Sequence, residues 1–148
     1  MTLLSGYIFL LVSYTVIFRI EGKNTGVALL PFWSYASYYE GTDSTLLGEN
    51  IMNVVAFMPI GFLLCIARRH MSLRGTLIIG GLLSAGIEIA QIVFKRGFCE
   101  TDDVIHNVLG CLLGYMIIKL PSLYLEKYCR KAMVVREDDL KESIRKNV

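Results

Sequence analysis

Four runs of apolar residues alternate with polar segments along the chain, and this pattern predicts four membrane-spanning helices. The runs are 3–18, 51–67, 76–94 and 104–120. A helix that crosses the hydrocarbon core upright needs about 20 apolar residues, with a range of about 17–25. The first run falls just short of this range. We expect it to be a retained span rather than a signal peptide, because no Lys or Arg precedes it and no small-residue cleavage site follows it.

Polar side chains interrupt these runs where only apolar ones are expected. An ionisable group at membrane depth costs on the order of a few kcal/mol, so it usually faces a partner or a water-filled site. The interrupting positions are therefore the candidate functional residues. The candidate catalytic residues are Glu88 and Asp103. The candidate ligand-binding residues are Asn53, Gln91, Arg96, Asp102, His106 and Asn107.

The distribution of Lys and Arg predicts the orientation of the chain. Eleven of these residues follow the second and fourth runs, whereas four follow the first and third. Because basic residues are enriched in cytoplasmic loops, both termini are expected in the cytoplasm, with segments 19–50 and 95–103 on the outside. In this orientation all the strongly polar residues of the runs fall in the outer third of the bilayer.

The composition agrees with a membrane protein and excludes other classes. Hydrophobic residues make up 54% of the chain, and the mean hydropathy is +0.52. No basic stripe interleaved with aromatic residues occurs, so nucleic acid is not an expected partner. The four cysteines include no CxxC spacing, so no metal site built on thiols is expected. We expect one all-α membrane domain, 1–125, followed by a charged cytoplasmic tail, 126–148, that is a short helix or disordered.

Helical spacing predicts that the polar residues point into the bundle. Glu88 and Gln91 are three residues apart and share a helix face. Four positions of the last run form one stripe: Asp103, Asn107, Gly110 and Gly114. Its two glycines form a small-xxx-small pattern that allows close helix packing, and Gly81 with Ala85 forms a similar pair. Asp102 or Asp103 could alternatively cap the helix that begins there.

The long outer segment is rich in aromatic residues. It contains Leu30-Pro31-Phe32-Trp33-Ser34-Tyr35, followed by Tyr38 and Tyr39. Aromatic side chains with polar tips favour the headgroup level of a bilayer, so this segment is either an interfacial anchor or a lid over the polar site.

The order and spacing of these blocks resemble the VanZ-like family of bacterial membrane proteins. The blocks that carry the resemblance are Leu30-Pro31-Phe32, 49–62, Glu88-Ile89-Ala90-Gln91 followed by Arg96, and 101–114. The family is named for a protein associated with low-level resistance to teicoplanin, a glycopeptide that carries a lipid chain. The resemblance implies a location in the bacterial cell membrane and covers the candidate residues except His106, which lies between matched positions. It implies no particular reaction, and it leaves any cofactor unknown.

Three functions remain open. The first is binding or handling of an amphiphile, either a lipoglycopeptide or a lipid-linked cell-wall precursor, with Arg96 and Arg19 binding its anionic groups. The second is an intramembrane enzyme in which Glu88 is the general acid or base, or in which Asp102, Asp103 and His106 hold a divalent cation. The third is a purely structural role, in which interhelical hydrogen bonds fix the packing. In each case the bilayer is a partner, and the oligomeric state is open.

Overall fold

The computed structural model describes residues 2–18, 26–68 and 71–146, and these are almost entirely helical. The helices are α1 (Thr2–Val12), α2 (Trp33–Tyr39), α3 (Leu46–Ala67), α4 (Leu73–Val93) and α5 (Thr101–Lys146). A π-helical segment, Ser13–Ile17, continues α1. Two short strands, β1 (Val27–Ala28) and β2 (Cys99–Glu100), pair in parallel. The predicted all-α class is confirmed, with this pair of two-residue strands added to it.

Three of the described helices are long and apolar enough to cross a membrane. They are α3, α4 and the portion of α5 from Thr101 to Met133, which correspond to the last three predicted spans. The first predicted span is a shorter apolar helix, Thr2–Ile17. Its role as a fourth span, and the placement of both termini in the cytoplasm, stay predictions.

The helix boundaries differ from those expected at two places. Helix α3 begins at Leu46 rather than at Ile51, so that Glu49 and Asn50 belong to its first turns. Helix α5 continues through the charged tail to Lys146. The residues up to Met116 form one compact unit, which contains the site described below, and those from Ile117 form a second.

Glycines allow the backbones of α3 and α5 to touch. A Cβ atom at Gly114 would lie 1.9 Å from the carbonyl oxygen of Met58, and one at Gly110 would lie 2.3 Å from that of Val54. On α3, a Cβ at Gly61 would lie 2.0 Å from the carbonyl oxygen of Cys111. These distances are far below van der Waals contact, so only glycine fits. The predicted packing stripe of Gly110 and Gly114 is confirmed.

Helix α4 packs on α5 through a different row of small residues than the one predicted. Thr76, Gly80 and Ser84 are buried at four-residue intervals, and a Cβ at Gly80 would lie 2.5 Å from the sulfur of Cys111. A Cβ at Gly81 would make only an ordinary contact, at 3.6 Å from Val108. The closest approach of α4 to α5 is therefore at Gly80, and Gly81 lies beside it, at ordinary contact distance from Val108 of α5.

The outer segment is tied to the start of α5 by backbone pairing. Val27 lies opposite Cys99 and Ala28 opposite Glu100 in the two-stranded sheet. The hydroxyl of Thr101 donates a hydrogen bond to the carbonyl of Leu29, at 3.2 Å. These contacts place the aromatic residues that follow, from Phe32 to Tyr39, above the ends of α3 and α5.

Candidate functional site

The carboxylate of Asp102 holds the outer segment in place. Asp102 is fully buried, and its two oxygens accept hydrogen bonds from the backbone N–H groups of Phe32 and Ser34 and from the hydroxyl of Ser34. The residue that precedes α2 is Phe32, whose side chain cannot cap a helix. Asp102 therefore supplies the N-terminal cap of α2 from a distant helix. Of the two residues that could cap the start of α5, Asp102 is thus engaged elsewhere, and capping by Asp103 stays a prediction.

His106 continues this hydrogen-bond network. Its Nδ1 lies 2.6 Å from the carbonyl oxygen of Asp102, and a carbonyl can only accept, so Nδ1 carries the hydrogen. In the neutral ring Nε2 is then the acceptor, and it receives the hydroxyl of Tyr35 at 2.7 Å. Asn50 completes the network by donating to the hydroxyl of Ser34 at 3.0 Å.

This network contradicts the expectation that Asp102, Asp103 and His106 could hold a divalent cation. Both oxygens of Asp102 and both ring nitrogens of His106 are already engaged with protein groups. Across residues 2–18, 26–68 and 71–146, no group of three His, Cys, Asp or Glu side chains is arranged to bind a metal ion. The sequence shows that these residues are close together, but it does not reveal that residues 32–35 hydrogen-bond to Asp102 and His106.

Asp103 and Asn53 meet at a different place, on a neighbouring face of the same helix end. The amide nitrogen of Asn53 donates to a carboxylate oxygen of Asp103 at 2.7 Å. Both side chains line a cavity of about 530 Å³, between the π-helical segment and the first turns of α3. Its other lining residues are Tyr14, Thr15, Phe18, Thr45, Gly48, Glu49 and Met52. The structure thus brings two of the predicted site residues into one cavity.

The cavity combines polar and apolar side chains. Tyr14, Phe18 and Met52 have most of their surface exposed, at 76%, 75% and 64%, although all three are large and apolar or aromatic. In a bilayer these residues would contact lipid. Asn53 and Asp103, which also line the cavity, are half-buried.

Three further predicted site residues, Glu88, Gln91 and Asn107, make hydrogen bonds away from the large cavity. Glu88 is buried, and its carboxylate accepts the backbone N–H of Glu100 at 2.9 Å. Gln91 donates to the carbonyl of Thr15 at 3.2 Å, and Asn107 donates to the hydroxyl of Ser84 at 2.8 Å. These bonds join α4 to the π-helical segment and to α5. The prediction that the polar residues point into the bundle is confirmed at these three positions.

Arg96 lies at a second, smaller cavity. This cavity has a volume of about 220 Å³ and is lined by Arg96, Phe94, Val16 and Ile17. It touches the π-helical segment on residues other than those that line the larger cavity. Arg19, the second predicted anion-binding residue, lies outside the described residues.

The comparison with known proteins assigns the chain to a family. The model of the family described as VanZ/LLP1 matches residues 2–123, which is most of the chain. The chain belongs to the VanZ/LLP1 family. Protein VanZ of Enterococcus faecium is 24% identical to it over 115 residues, which cover 78% of this chain and 66% of that protein. The chain therefore spans just under two thirds of the length of this relative. No solved structure matches the chain significantly.

Within this VanZ/LLP1 chain, several site residues were not predicted from the sequence. Ser34 and Tyr35 lie in the aromatic segment and bind Asp102 and His106. Glu49 lies four residues before the predicted site residue Asn53 and lines the large cavity. Glu49 lay within a block that resembles the VanZ-like family, so its position was a usable signal. No pattern in the sequence indicated that Ser34 and Ser84 would make these buried hydrogen bonds.

Proposed function

We propose that this VanZ/LLP1 protein is a multi-pass membrane protein that binds an amphiphile in the outer leaflet. The observation that carries the proposal is the cavity of about 530 Å³, which brings the half-buried polar side chains of Asn53 and Asp103 together with exposed apolar side chains. Small-molecule sites typically have volumes of about 300–1,000 Å³. The polar head would lie against Asn53 and Asp103, and the chain would leave past Phe18 and Met52 into lipid.

The π-helical segment forms the wall through which such a ligand would enter. It supplies Tyr14 and Thr15 to the large cavity. Short π-helical segments are rare and often occur at functional sites. The side chain of Gln91 on α4 stabilises the segment by donating a hydrogen bond to the carbonyl oxygen of Thr15. Gln91 would thus position the wall of the site rather than contact the ligand.

The relative named Protein VanZ suggests the biological setting of the ligand. We propose that the amphiphile is a lipoglycopeptide such as teicoplanin, or a lipid-linked cell-wall precursor, and that binding lowers the susceptibility of the cell to teicoplanin. Both ligands carry an apolar chain and a polar head, and both reach the outer leaflet.

Filling the cavity tests this proposal. A Cβ atom at Gly48 meets nothing within 4 Å, so Gly48→Trp places a large side chain in the cavity without a backbone clash. Gly6 is equally open and does not line the cavity, so Gly6→Trp is the matched control. In a host made less susceptible to teicoplanin by this protein, Gly48→Trp should restore susceptibility at an unchanged protein level in membranes. Gly6→Trp should not.

Retained resistance in Gly48→Trp at a normal protein level would overturn the proposal. If the variant does not accumulate, the smaller Gly48→Leu provides the same test. Direct binding of radiolabelled teicoplanin to the purified protein in nanodiscs separates loss of binding from an indirect effect on the cell.

A structural role is the second candidate, because many of the buried polar groups are bonded to protein groups. Glu88→Gln distinguishes the two, since Gln keeps an oxygen that can accept the N–H of Glu100. If the Glu88→Gln variant reaches a normal level in membranes but resistance is lost, Glu88 has a functional role. If the protein level and resistance fall equally, its role is in packing alone. Catalysis by Glu88 with Asp102 or Asp103 would instead produce a new covalent species among the lipid-linked wall precursors, detectable by mass spectrometry.

A further inference from the structure

The part of α5 that follows the last apolar run carries a groove on one helix face. The groove has a volume of about 220 Å³ and is lined by Tyr124, Lys127, Tyr128 and Lys131. These residues are spaced three and four apart, so they lie on one side of the helix. All four are exposed. The groove belongs to the compact unit that begins at Ile117, so it shares no residue with the site described above.

The length of α5 indicates that this groove lies at the membrane surface. The stretch of α5 that is apolar enough to cross a membrane, Thr101–Met133, has 33 residues, whereas an upright span needs about 20. Four charged residues fall between Glu126 and Lys131. Charged groups avoid hydrocarbon, so we expect this end of the stretch at the level of the head groups. Tyrosine side chains favour that level, and lysine can reach it while its methylene groups stay in apolar surroundings.

The charge of this segment favours an anion. Residues 119–136 include five Lys or Arg residues and one acidic residue, Glu126. Glu126 comes two positions after Tyr124, about 200° around the helix, so it lies on the side away from the groove. The charged residues that line the groove, among those the structure describes, are the two lysines. A cluster of about four to eight basic residues directly after a span is typical of segments that bind anionic phospholipids.

We infer that the groove binds the head group of an anionic phospholipid, with the ammonium groups of Lys127 and Lys131 on its phosphate. Lysine only donates and tyrosine can donate, so the groove matches a group that only accepts hydrogen bonds. The phosphate of phosphatidylglycerol is such a group and carries a net negative charge, whereas phosphatidylcholine adds a cation beside its phosphate. The inference does not depend on the proposed function, because the large cavity and the groove are lined by different residues.

Two photoactivatable lipids test the inference. One has a phosphatidylglycerol head and the other a phosphatidylcholine head, and both carry a diazirine near the glycerol. They are mixed at equal density in phosphatidylcholine nanodiscs that hold the full chain, and labelling is mapped by mass spectrometry to peptides that contain Tyr124 or Tyr128. At low salt the phosphatidylglycerol probe should label these peptides about thirtyfold more, which corresponds to about 1 kcal/mol for each of the two lysines. The preference should fall in about 1 M NaCl, where the Debye length is about 3 Å.

Two double variants of equal charge separate the groove from the general charge of the segment. Lys127→Gln with Lys131→Gln removes both positive charges from the groove and should remove most of the preference. Arg130→Gln with Arg136→Gln removes the same charge from exposed positions outside the groove lining and should leave most of it. Lys127→Arg with Lys131→Arg keeps the charge and should keep the preference.

Two results would overturn the inference. Equal labelling of the wild-type chain by the two probes would exclude an anionic phospholipid as the occupant and would favour an acidic segment of another protein. An equal loss of preference in the two glutamine double variants would show that the net charge of α5, rather than the groove, attracts the lipid. The wild-type comparison needs no variant, so it remains decisive even if a variant does not accumulate in membranes.

Discussion

At the residue scale, Asp102 shows how a buried carboxylate can hold together segments that are far apart in the chain. It accepts two backbone N–H groups and one hydroxyl, which compensate for the loss of water around its charge. The donors come from Phe32 and Ser34, far away in the chain. This position explains the presence of two adjacent acidic residues, since Asp102 holds the outer segment and Asp103 faces the cavity.

The substitution Asp102→Asn tests this role. An amide retains one accepting oxygen but turns an NH₂ group toward the N–H of Phe32 or of Ser34, leaving buried donors unpaired. We expect a loss of about 2 kcal/mol or more in unfolding free energy. Thermal unfolding of the purified protein in detergent measures it, with Glu40→Gln, at an exposed position of the same segment, as the control. Wild-type stability in Asp102→Asn would contradict the proposed capping role.

Cys99 provides a pH-dependent test of the local electrostatics. Burial raises the pKa of the Cys99 thiol, and the nearby carboxylates of Glu88, Asp103 and Glu100 raise it further. A raised pKa leaves less of the reactive thiolate at neutral pH, so alkylation of Cys99 should be slower than that of the exposed Cys129. The rate at Cys99 should increase about tenfold for each pH unit from 7 to 8.5. A plateau below pH 8, measured with iodoacetamide and peptide mass spectrometry, would refute this.

At the element scale, the contact of α3 with α5 determines where the site lies. Gly61, Gly110 and Gly114 let the two backbones touch. The hydrogen bond between Asn53 and Asp103 connects the same two helices one to three turns closer to their first residues. The close approach and the cavity are thus parts of one interface. A change in helix separation should therefore affect both stability and binding.

Gly114→Ala measures the importance of this contact. The added methyl group would meet the backbone of Met58, which cannot move aside as a side chain can. We expect a loss of about 2–3 kcal/mol in unfolding free energy. Gly86→Ala on α4, where a Cβ meets nothing within 4 Å, should be neutral or stabilising by up to about 1 kcal/mol. Similar stabilities of the two variants would show that the helices do not pack this closely.

At the scale of the whole molecule, the predicted orientation can be tested with two native cysteines. Cys99 lies between α4 and α5, and Cys129 lies in the exposed part of α5. If both termini are cytoplasmic, a membrane-impermeant maleimide at pH 8.5 should label Cys99 in intact cells and Cys129 only after permeabilisation. Labelling of Cys129 alone in intact cells would reverse the orientation. Cys65 and Cys111 are buried and should stay unlabelled in both conditions.

Much of the architecture was predictable because it follows from local patterns. The length of each apolar run predicts a helix, and spacings of three and four residues predict the inward face that carries Asn107, Gly110 and Gly114. The sequence did not single out Gly80, where α4 comes closest to α5. Two neighbouring rows of α4 contain small residues, and spacing within one helix cannot tell which row comes closest to the neighbouring helix.

The sequence by itself determined that the chain forms apolar helices and that costly polar groups lie near one end of them. It did so because hydrophobicity and helical periodicity are local properties. The tertiary structure alone decided which polar groups meet. Asp102 accepts hydrogen bonds from the aromatic segment, whereas the neighbouring Asp103 lines the cavity together with Asn53 and Glu49. This division depends on the position of residues 32–35, many residues away, and on the rotation of α5 about its axis, which no local pattern contains.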